Sequence, residues 1–329
     1  MNGFPDTPWP VVGHRWAVSR LERAIHEGRL GQAYLITGPP QIGKATLARA
    51  LAMAINCTGQ PRPCGNCRAC VRIASNTHAD VRVVVPDGER LKIDQIRDLQ
   101  RELSLSPLEA RKRVAILDDF DRATLEAMNA LLKTLEEPAS NVVLILIAPE
   151  AETLLPTIVS RCQVVALRPL TVAQVREALI ARWQVDAGHA ELLAHLSGGR
   201  LGWAVRAAKD EAILERRSTR LDDLRRLLSA SRVERFAYAE WLARHAADVR
   251  ETIEVWRTWW RDVMLAAAGG SAELTNVDRR EEIASVAARL DVQRARSAAE
   301  ACSRALWQLE RNAAPRLVIE VMLMNLPRI

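Results

Sequence analysis

The stretch GPPQIGKATLA, from Gly38 to Ala48, has the glycine and lysine spacing of a phosphate-binding loop. The pattern G-x-x-x-x-G-K is complete and ends with Gly43 and Lys44. In such loops the next residue is Ser or Thr, whose hydroxyl holds Mg²⁺, whereas this chain has Ala45 and carries a hydroxyl one position later, at Thr46. The stretch therefore predicts a phosphate loop that has lost its Mg²⁺ ligand.

The flanking sequence supplies the strand and the helix that such a loop requires. Residues 32–36 are mostly apolar and lead into Gly38, which is typical of a buried strand. The loop is followed by KATLARALAMAIN, a run of good helix formers with an apolar stripe. Further strands are predicted at 81–85, 114–117 and 142–147, and helices over LKIDQIRDLQRELS and TLEAMNALLKTLEEP. This alternation predicts an α/β fold, with a parallel sheet and helices on both of its sides.

Beyond Pro169 the strand pattern ends and the chain is predicted to be helical. A short block that runs through LGWAVRAAK predicts a small helical domain, and the remainder predicts an independent helical bundle. We therefore expect three domains, at residues 1–168, 169–209 and 210–329. Three tryptophans of the bundle recur at helical spacing, which favours core or subunit-interface packing over stacking on bases: Trp256, Trp259 and Trp260.

The composition is that of a folded protein, because 49% of the 329 residues are hydrophobic and 26% are charged. No apolar run approaches the roughly 18 residues that a membrane span requires, and the first residues, MNGFPDTPWP, do not resemble a signal peptide. We therefore expect a cytoplasmic protein with no membrane partner. The formal charge of +6 is compatible with work near DNA and equally with simple solubility. The RKR triplet at 111–113 is interpreted as a solvated turn before a strand, and a contribution to a DNA-facing or partner-facing surface is left open.

An acidic pair follows the predicted strand VAIL, where Asp118 and Asp119 begin the segment DDFD. In phosphate-loop ATPases the first acid at such a strand end supports Mg²⁺, and the second, usually Glu, polarises the attacking water. Asp119 is one methylene shorter than Glu, so its reach to a water is reduced. The pair predicts the second half of a nucleotide site, and two solvated acids at a strand end are the alternative.

Four of the six cysteines form a cluster with the spacing C-x6-C-x2-C-x2-C: Cys57, Cys64, Cys67 and Cys70. Four thiolates on a tight knuckle favour tetrahedral Zn²⁺, and a closed four-sulfur shell leaves no position open for catalysis. The sequence therefore predicts a structural zinc module at residues 57–70. An iron–sulfur cluster also accepts four thiolates, but the longer first gap and the lack of a following Cys-Pro favour it less.

Several motifs, taken in order, resemble the bacterial replication clamp loader family of AAA+ proteins. They are the phosphate loop, the four-cysteine cluster, the acidic strand end, NALLKTLEEP at 129–138 and VSRC at 159–162. The last two are highly specific, and the ending NAAPRLVIEVMLMNLP is similar to the final collar helix of that family. The resemblance covers the whole chain. It implies an AAA+ nucleotide-binding module with a zinc-knuckle insertion, a helical lid and a C-terminal all-α collar for the three predicted domains.

The resemblance also implies partners and a role for Arg161. Clamp loaders of this family form a five-subunit arc, in which ATP bound by one subunit is completed by an arginine from the SRC motif of its neighbour. By resemblance, Arg161 acts in trans on the ATP site of a gamma or tau subunit, in a complex that also contains a delta subunit. Sliding clamp and primer-template DNA are reached through the complex. Such an arginine accelerates phosphoryl transfer by roughly 10³ to 10⁵.

Compared with active family members, this chain has an incomplete nucleotide site of its own. Ala45 replaces the Mg²⁺ hydroxyl, Ala148-Pro149 stands where a phosphate-sensing Thr or Asn is expected, and Gly202 falls at the position of a sensing arginine. The remaining residues still allow ATP or ADP to bind, but Mg²⁺ is not expected to be held well. We therefore expect a subunit with little or no ATPase activity. The alternative is a short gamma/tau-like subunit that hydrolyses ATP itself.

Overall fold

A parallel sheet carries the phosphate-loop sequence and the acidic strand end. In this computed structural model, which describes residues 8–270, 273–311 and 313–329, the strands are β1 (Ala33–Thr37), β2 (Val81–Val84), β3 (Arg113–Leu117), β4 (Val142–Ala148) and β5 (Gln163–Ala166). They form one five-stranded sheet in the order β2-β3-β4-β1-β5, and all neighbouring strands are parallel. The predicted parallel sheet is therefore confirmed.

Four of the five strands lie where the sequence predicts them, and no observed end differs from the predicted end by more than one residue. The sequence prediction missed β5. That strand has four residues at the edge of the sheet, and its two ends, Gln163 and Ala166, are exposed. Because half of the strand faces solvent, it lacks the continuous apolar run that marks the central strands.

Helices cover both faces of the sheet. One face packs against α1 (Arg15–His26), α2 (Lys44–Asn56) and α3 (Arg68–Ala74), and the other packs against α4 (Ile93–Leu103), α5 (Leu125–Glu136) and the short α6 (Pro156–Val159). Alternate residues of β1 divide between the two cores, because Tyr34 and Ile36 join the first and Leu35 the second. The predicted helix over KATLARALAMAIN begins and ends at the residues of α2.

One expectation about this sheet is wrong. Arg113, the last residue of the RKR triplet, is the first residue of β3 and is buried. Its guanidinium donates to the carbonyl of Ser106 at 2.9 Å and lies 3.5 Å from a carboxylate oxygen of Asp80. That carboxylate is itself buried and accepts three backbone N–H groups of residues 108–110. A buried anion favours a nearby cation, so Arg113 turns inward instead of standing in solvent.

The rest of the described chain is helical, as predicted. The helices are α7 (Val172–Trp183), α8 (Ala187–Leu196), α9 (Leu201–Lys209), α10 (Ala212–Ser229), α11 (Arg232–Arg244), α12 (Ala246–Ala267), α13 (Arg280–Ala287), α14 (Val292–Glu310) and α15 (Pro315–Met324). Among the helices of the described residues, none combines the length and the apolar character of a membrane span.

The chain divides into two units. The first runs to Gln174 and takes in Arg200–Gly202, and the second comprises Val175–Gly199 and Trp203–Ile329. The predicted boundaries after residues 168 and 209, with a lid separate from a collar, stay predictions.

The core of the second unit contains the three tryptophans singled out by their spacing. The side chains of Trp256, Trp259 and Trp260 are all buried in α12. The indole Nε1 of Trp256 donates to the carbonyl of Arg220 at 2.7 Å. Core packing is therefore confirmed for this stripe, and stacking of these rings on bases is excluded because none of them reaches the surface.

Candidate functional site

The phosphate loop joins β1 to α2 through a backbone that requires glycine at its first position. Gly38 has a φ of +142°, and a Cβ on it would lie 2.8 Å from the carbonyl oxygen of Leu167. The N–H of Gly38 donates to the carbonyl of Pro149 at 2.9 Å, which ties the loop to the end of β4. Gly43, with a φ of +108°, leads into the first turn of α2. The structure thus supplies a strand, a tight turn and a helix N-terminus in the order that phosphate binding requires.

Lys44, the first residue of α2, is folded over its own loop. Its Nζ donates to the carbonyl of Gly38 at 2.6 Å and to that of Pro39 at 3.0 Å. Burial lowers the pKa of Lys44, and three carboxylates that follow β3 oppose this shift: Asp119, Asp118 and Asp121. The ammonium group therefore lies between loop carbonyls and acids, and a phosphate has to compete with these carbonyls for it.

The residue after Lys44 offers no ligand to a metal ion. Ala45 is partly buried and packs against the core on the α2 side of the sheet. Thr46 is exposed. Because successive residues of an α-helix are rotated by about 100° around its axis, the Thr46 hydroxyl projects from another side of α2 than the Ala45 methyl. For the Thr46 hydroxyl to bind Mg²⁺ in place of a hydroxyl at position 45, the loop would therefore need a different geometry.

The acidic pair lies at the end of β3, as predicted, and a third carboxylate joins it. Burial raises the pKa of Asp118, and the adjacent charge of Asp119 adds to the effect. Asp119 is exposed and has a left-handed backbone, with a φ of +48°. Burial also raises the pKa of Asp121, whose Oδ1 is buried without a hydrogen-bond partner among the described residues. The sequence analysis missed Asp121, although it stands in the same DDFD segment.

The two remaining positions compared with active family members carry no polar side chain. Ala148 ends β4 and is buried. Gly202, the second residue of α9, donates its N–H to the carbonyl of Gln41 in the phosphate loop at 2.8 Å. A Cβ on Gly202 would lie 2.7 Å from that same oxygen, which is closer than Cβ atoms approach in proteins. Position 202 therefore contributes a backbone contact to the loop, and any side chain there requires the loop or α9 to shift.

Arg161 lies on the surface between α6 and β5. Its Nη1 donates to the carbonyl of Thr157 in α6 at 2.9 Å, and its Nη2 forms a 2.7 Å ion pair with Oε1 of Glu136, the last residue of α5. The side chain of Arg161 is 35% exposed and that of Glu136 is 49% exposed. Nη1 also donates to the hydroxyl of Ser160, at 3.5 Å. The guanidinium is therefore accessible to another molecule while it is held by acceptors of its own chain. Glu136 lies within NALLKTLEEP, and nothing in the sequence indicates that it pairs with Arg161.

The four predicted cysteine ligands come together in one cluster. Their Sγ atoms all lie within 4.8 Å of one another, so the group can hold a metal ion, and the Sγ atoms of Cys57 and Cys67 are 3.9 Å apart. Backbone N–H groups of the knuckle point at the sulfurs, from Cys64 to Cys57 and from Cys67 to Cys64, each at 3.3 Å. Burial opposes the ionisation of Cys67, but hydrogen bonds from the Cys70 and Thr58 backbones help to lower its pKa to about 5. The pKa of Cys64 is lowered as well, whereas burial raises the pKa of Cys57 and of Cys70, so the N–H groups favour the thiolate form that metals bind at two of the four cysteines.

Comparisons with known proteins connect both units to one family. A family model described as "DNA polymerase III, delta subunit" matches residues 13–171, and one described as "DNA polymerase III, delta subunit, C terminal" matches residues 211–327. The chain is 37% identical over 199 residues to DNA polymerase III subunit delta' of Bacillus subtilis, and the match covers 60% of each protein.

A second kind of relative matches the first part of the chain. DNA polymerase III subunit gamma/tau of Mycobacterium tuberculosis is 38% identical over 175 residues, which is 52% of this chain and 30% of that protein. The chain thus matches less than two thirds of the length of either relative. A solved structure of a gamma subunit-related protein from Thermotoga maritima aligns over 94% of this chain and 97% of its own, with 19% identity and a TM-score of 0.47.

Proposed function

This chain belongs to the DNA polymerase III delta-subunit family, and from that premise we propose that it is a clamp loader subunit of the delta-prime type. In this role it helps a five-subunit complex to load the sliding clamp onto primed DNA. Its partners are gamma or tau subunits and a delta subunit, and it meets the clamp and primer-template DNA as part of the complex. The identity to the Bacillus subtilis delta' subunit supports this subunit type.

The observation that carries the proposal is the exposed Arg161 at the edge of the first unit. A guanidinium that completes a neighbour's ATP site must reach the molecular surface, and the side chain of Arg161 is 35% exposed. It follows a short helix and precedes an edge strand, so the backbone around it is part of regular structure. In the proposed complex Arg161 stabilises the charge that develops on the transferring phosphoryl group.

The chain's own loop supports a donor role over independent hydrolysis. Ala45 brings no oxygen to Mg²⁺. Gly202 has no side chain that could bring a cation to the phosphates, and its backbone lies against the loop. Lys44 retains its ammonium group, but that group bonds to loop carbonyls. We propose that any nucleotide bound through Gly38, Gly43 and Lys44 is hydrolysed slowly or not at all.

We further propose that the cysteine cluster holds structural Zn²⁺. Four sulfurs at about 2.3 Å from a tetrahedral zinc lie roughly 3.8 Å from one another, and the 3.9 Å separation of the Cys57 and Cys67 sulfurs fits this geometry. Bound zinc would tie together the end of α2 and the start of α3. With all four positions taken by cysteine, the metal supplies cross-linking and no reaction step.

The competing function is a short gamma/tau-like subunit that hydrolyses ATP itself. The specific observation in its favour is the 38% identity to gamma/tau of Mycobacterium tuberculosis over 175 residues. The two functions differ in what they require of Lys44. A subunit that hydrolyses ATP itself would lose its ATP turnover when Lys44 is replaced, whereas a subunit that only donates Arg161 has no such turnover to lose.

Replacing Arg161 with alanine in a loader reconstituted from purified subunits tests the proposed function. We expect Arg161→Ala to lower turnover at the one site that this arginine completes by roughly 10³-fold, which is measured as a partial loss of clamp-stimulated ATP hydrolysis. Assembly, followed by gel filtration, should be intact because the side chain is exposed. Arg168→Ala is the matched control, since Arg168 is an exposed arginine a few residues further along the chain. Unchanged turnover in the Arg161→Ala complex would refute the donor role.

A further inference from the structure

We infer that Glu136 is a positioning residue for Arg161, which holds the guanidinium on this chain until a neighbour's phosphate displaces it. The inference rests on the proposed donor role of Arg161. It connects two sequence motifs, NALLKTLEEP and VSRC, through one ion pair between their side chains. It also assigns a regulatory task to an acid that the nucleotide chemistry does not use.

The contacts of Arg161 leave both terminal nitrogens engaged with this chain. Nη1 donates to the carbonyl of Thr157 at 2.9 Å, and Nη2 pairs with Oε1 of Glu136 at 2.7 Å. Glu136 is the last residue of α5, where the negative end of the helix favours a nearby cation. Bidentate recognition of a phosphate by arginine uses a planar pair of N–H donors. The bonds to Thr157 and Glu136 use two of the five N–H donors of the guanidinium, so a phosphate that approaches from the same side competes with Glu136 for Nη2.

Electrostatics makes the carboxylate and the phosphate alternative partners. If Arg161 contacted both at once, the Glu136 carboxylate would lie within a few ångströms of a multiply charged phosphate. Like charges repel strongly at that distance, and the repulsion grows when a subunit interface excludes water. We therefore expect the ion pair between Glu136 and Arg161 to open as Arg161 engages the neighbouring site.

The ion pair between Glu136 and Arg161 is weak enough to open readily. Both side chains are partly exposed, at 35% and 49%. Ion pairs of this exposure are weak and are screened by salt. Holding Arg161 in this way therefore weakens its engagement in trans by a small factor, on the order of 2- to 5-fold.

The test is Glu136→Gln in the reconstituted loader, assayed by steady-state ATP turnover. Glutamine keeps the shape of the side chain and removes its charge. At the one site that Arg161 completes, we expect the half-saturating ATP concentration to fall by about 2- to 5-fold at low salt, with maximal turnover unchanged, and the difference to shrink as salt is raised. Glu137→Gln is the matched control, because Glu137 is the adjacent exposed acid and its replacement changes the net charge equally.

The outcomes separate this inference from the function on which it rests. If Arg161→Ala lowers turnover but Glu136→Gln leaves the half-saturating ATP concentration unchanged or raises it, the proposed positioning role of Glu136 is wrong and the donor role of Arg161 stands. A fall in maximal turnover with Glu136→Gln would also overturn it, because it would make Glu136 a support that stays bound during catalysis. If Arg161→Ala has no effect, the donor role itself fails. In the Arg161→Ala background the effect of Glu136→Gln should disappear, since the two residues act as a pair.

Discussion

The residues around the phosphate loop pack against the core or form hydrogen bonds with the loop itself. The methyl group of Ala45 packs against the core, and the ammonium of Lys44 bonds to carbonyls of its own loop. Gly202 donates its N–H to the loop at Gln41. In the sequence, Gly202 falls at the position where active family members are expected to have a sensing arginine. The structure adds that glycine is required there, because the two backbones approach too closely for a Cβ.

Gly202→Ala is therefore expected to destabilise the chain by about 1–3 kcal/mol, the usual cost of forcing an extra methyl group into a packed contact. The free energy of unfolding is measured in urea on the full-length chain. Gly188→Ala is the control, because Gly188 is likewise the second residue of a helix, α8, and its Cβ would meet only the side chain of Asp186, at 3.3 Å. Alanine is the better helix former by up to about 1 kcal/mol, so the control should be neutral or stabilising. A Gly202→Ala chain as stable as the parent would contradict the close approach.

Among the elements, the cysteine knuckle shows how a short segment can be ordered with little core of its own. Cys57 directly follows α2, and the sulfur of Cys67 accepts the N–H of Cys70 at the start of α3. Cys57 and Cys70 are buried and join the core on this face of the sheet. A metal ion at the four sulfurs would therefore connect two helix ends to one another.

Zinc content gives a direct prediction for this knuckle. We expect one Zn²⁺ per purified chain, and none or a small fraction in Cys67→Ser, as measured by atomic emission. Cys162→Ser should retain the metal, because Cys162 lies outside the cluster. Thiolates must be deprotonated to bind zinc, so protons compete with the metal and zinc is released as the pH falls. Full retention of zinc by Cys67→Ser would contradict a four-cysteine site, and iron in place of zinc would favour the iron–sulfur alternative.

The elements differ in how well the sequence predicts them. The central strands β1 and β4 are predictable because they are buried along their whole length, and α2 is predictable because an apolar stripe coincides with good helix formers. The edge strand β5 escapes prediction because its ends are exposed. Arg113 escapes because its environment is set by Asp80, which is distant in sequence. The cysteines were found through their spacing, whereas the pair of Glu136 and Arg161 depends on how α5 and α6 pack.

At the scale of the whole molecule, the chain combines a phosphate-loop fold with a proposed site that lacks a hydroxyl at position 45 and a cation at position 202. These two properties are separable, because the fold depends on the apolar strands and on Gly38, while in our proposal hydrolysis would need an oxygen at position 45 and a cation at position 202. The five-stranded sheet is formed although neither group is present. A surface arginine such as Arg161 then retains the rigid support that action on another molecule requires.

The purified chain alone is therefore expected to hydrolyse ATP at the rate of the protein-free control. Lys44→Ala should not lower this rate, although Lys44→Ala removes the ammonium group on which a phosphate-loop ATPase depends. Ala45→Thr, which restores the missing hydroxyl, should also leave turnover at background, because Gly202 still supplies a backbone contact where a cation is needed. Phosphate release is measured with and without Mg²⁺. Substantial turnover that Lys44→Ala abolishes would instead establish the gamma/tau-like ATPase, and turnover gained by Ala45→Thr alone would mean that one missing oxygen accounts for the inactive site.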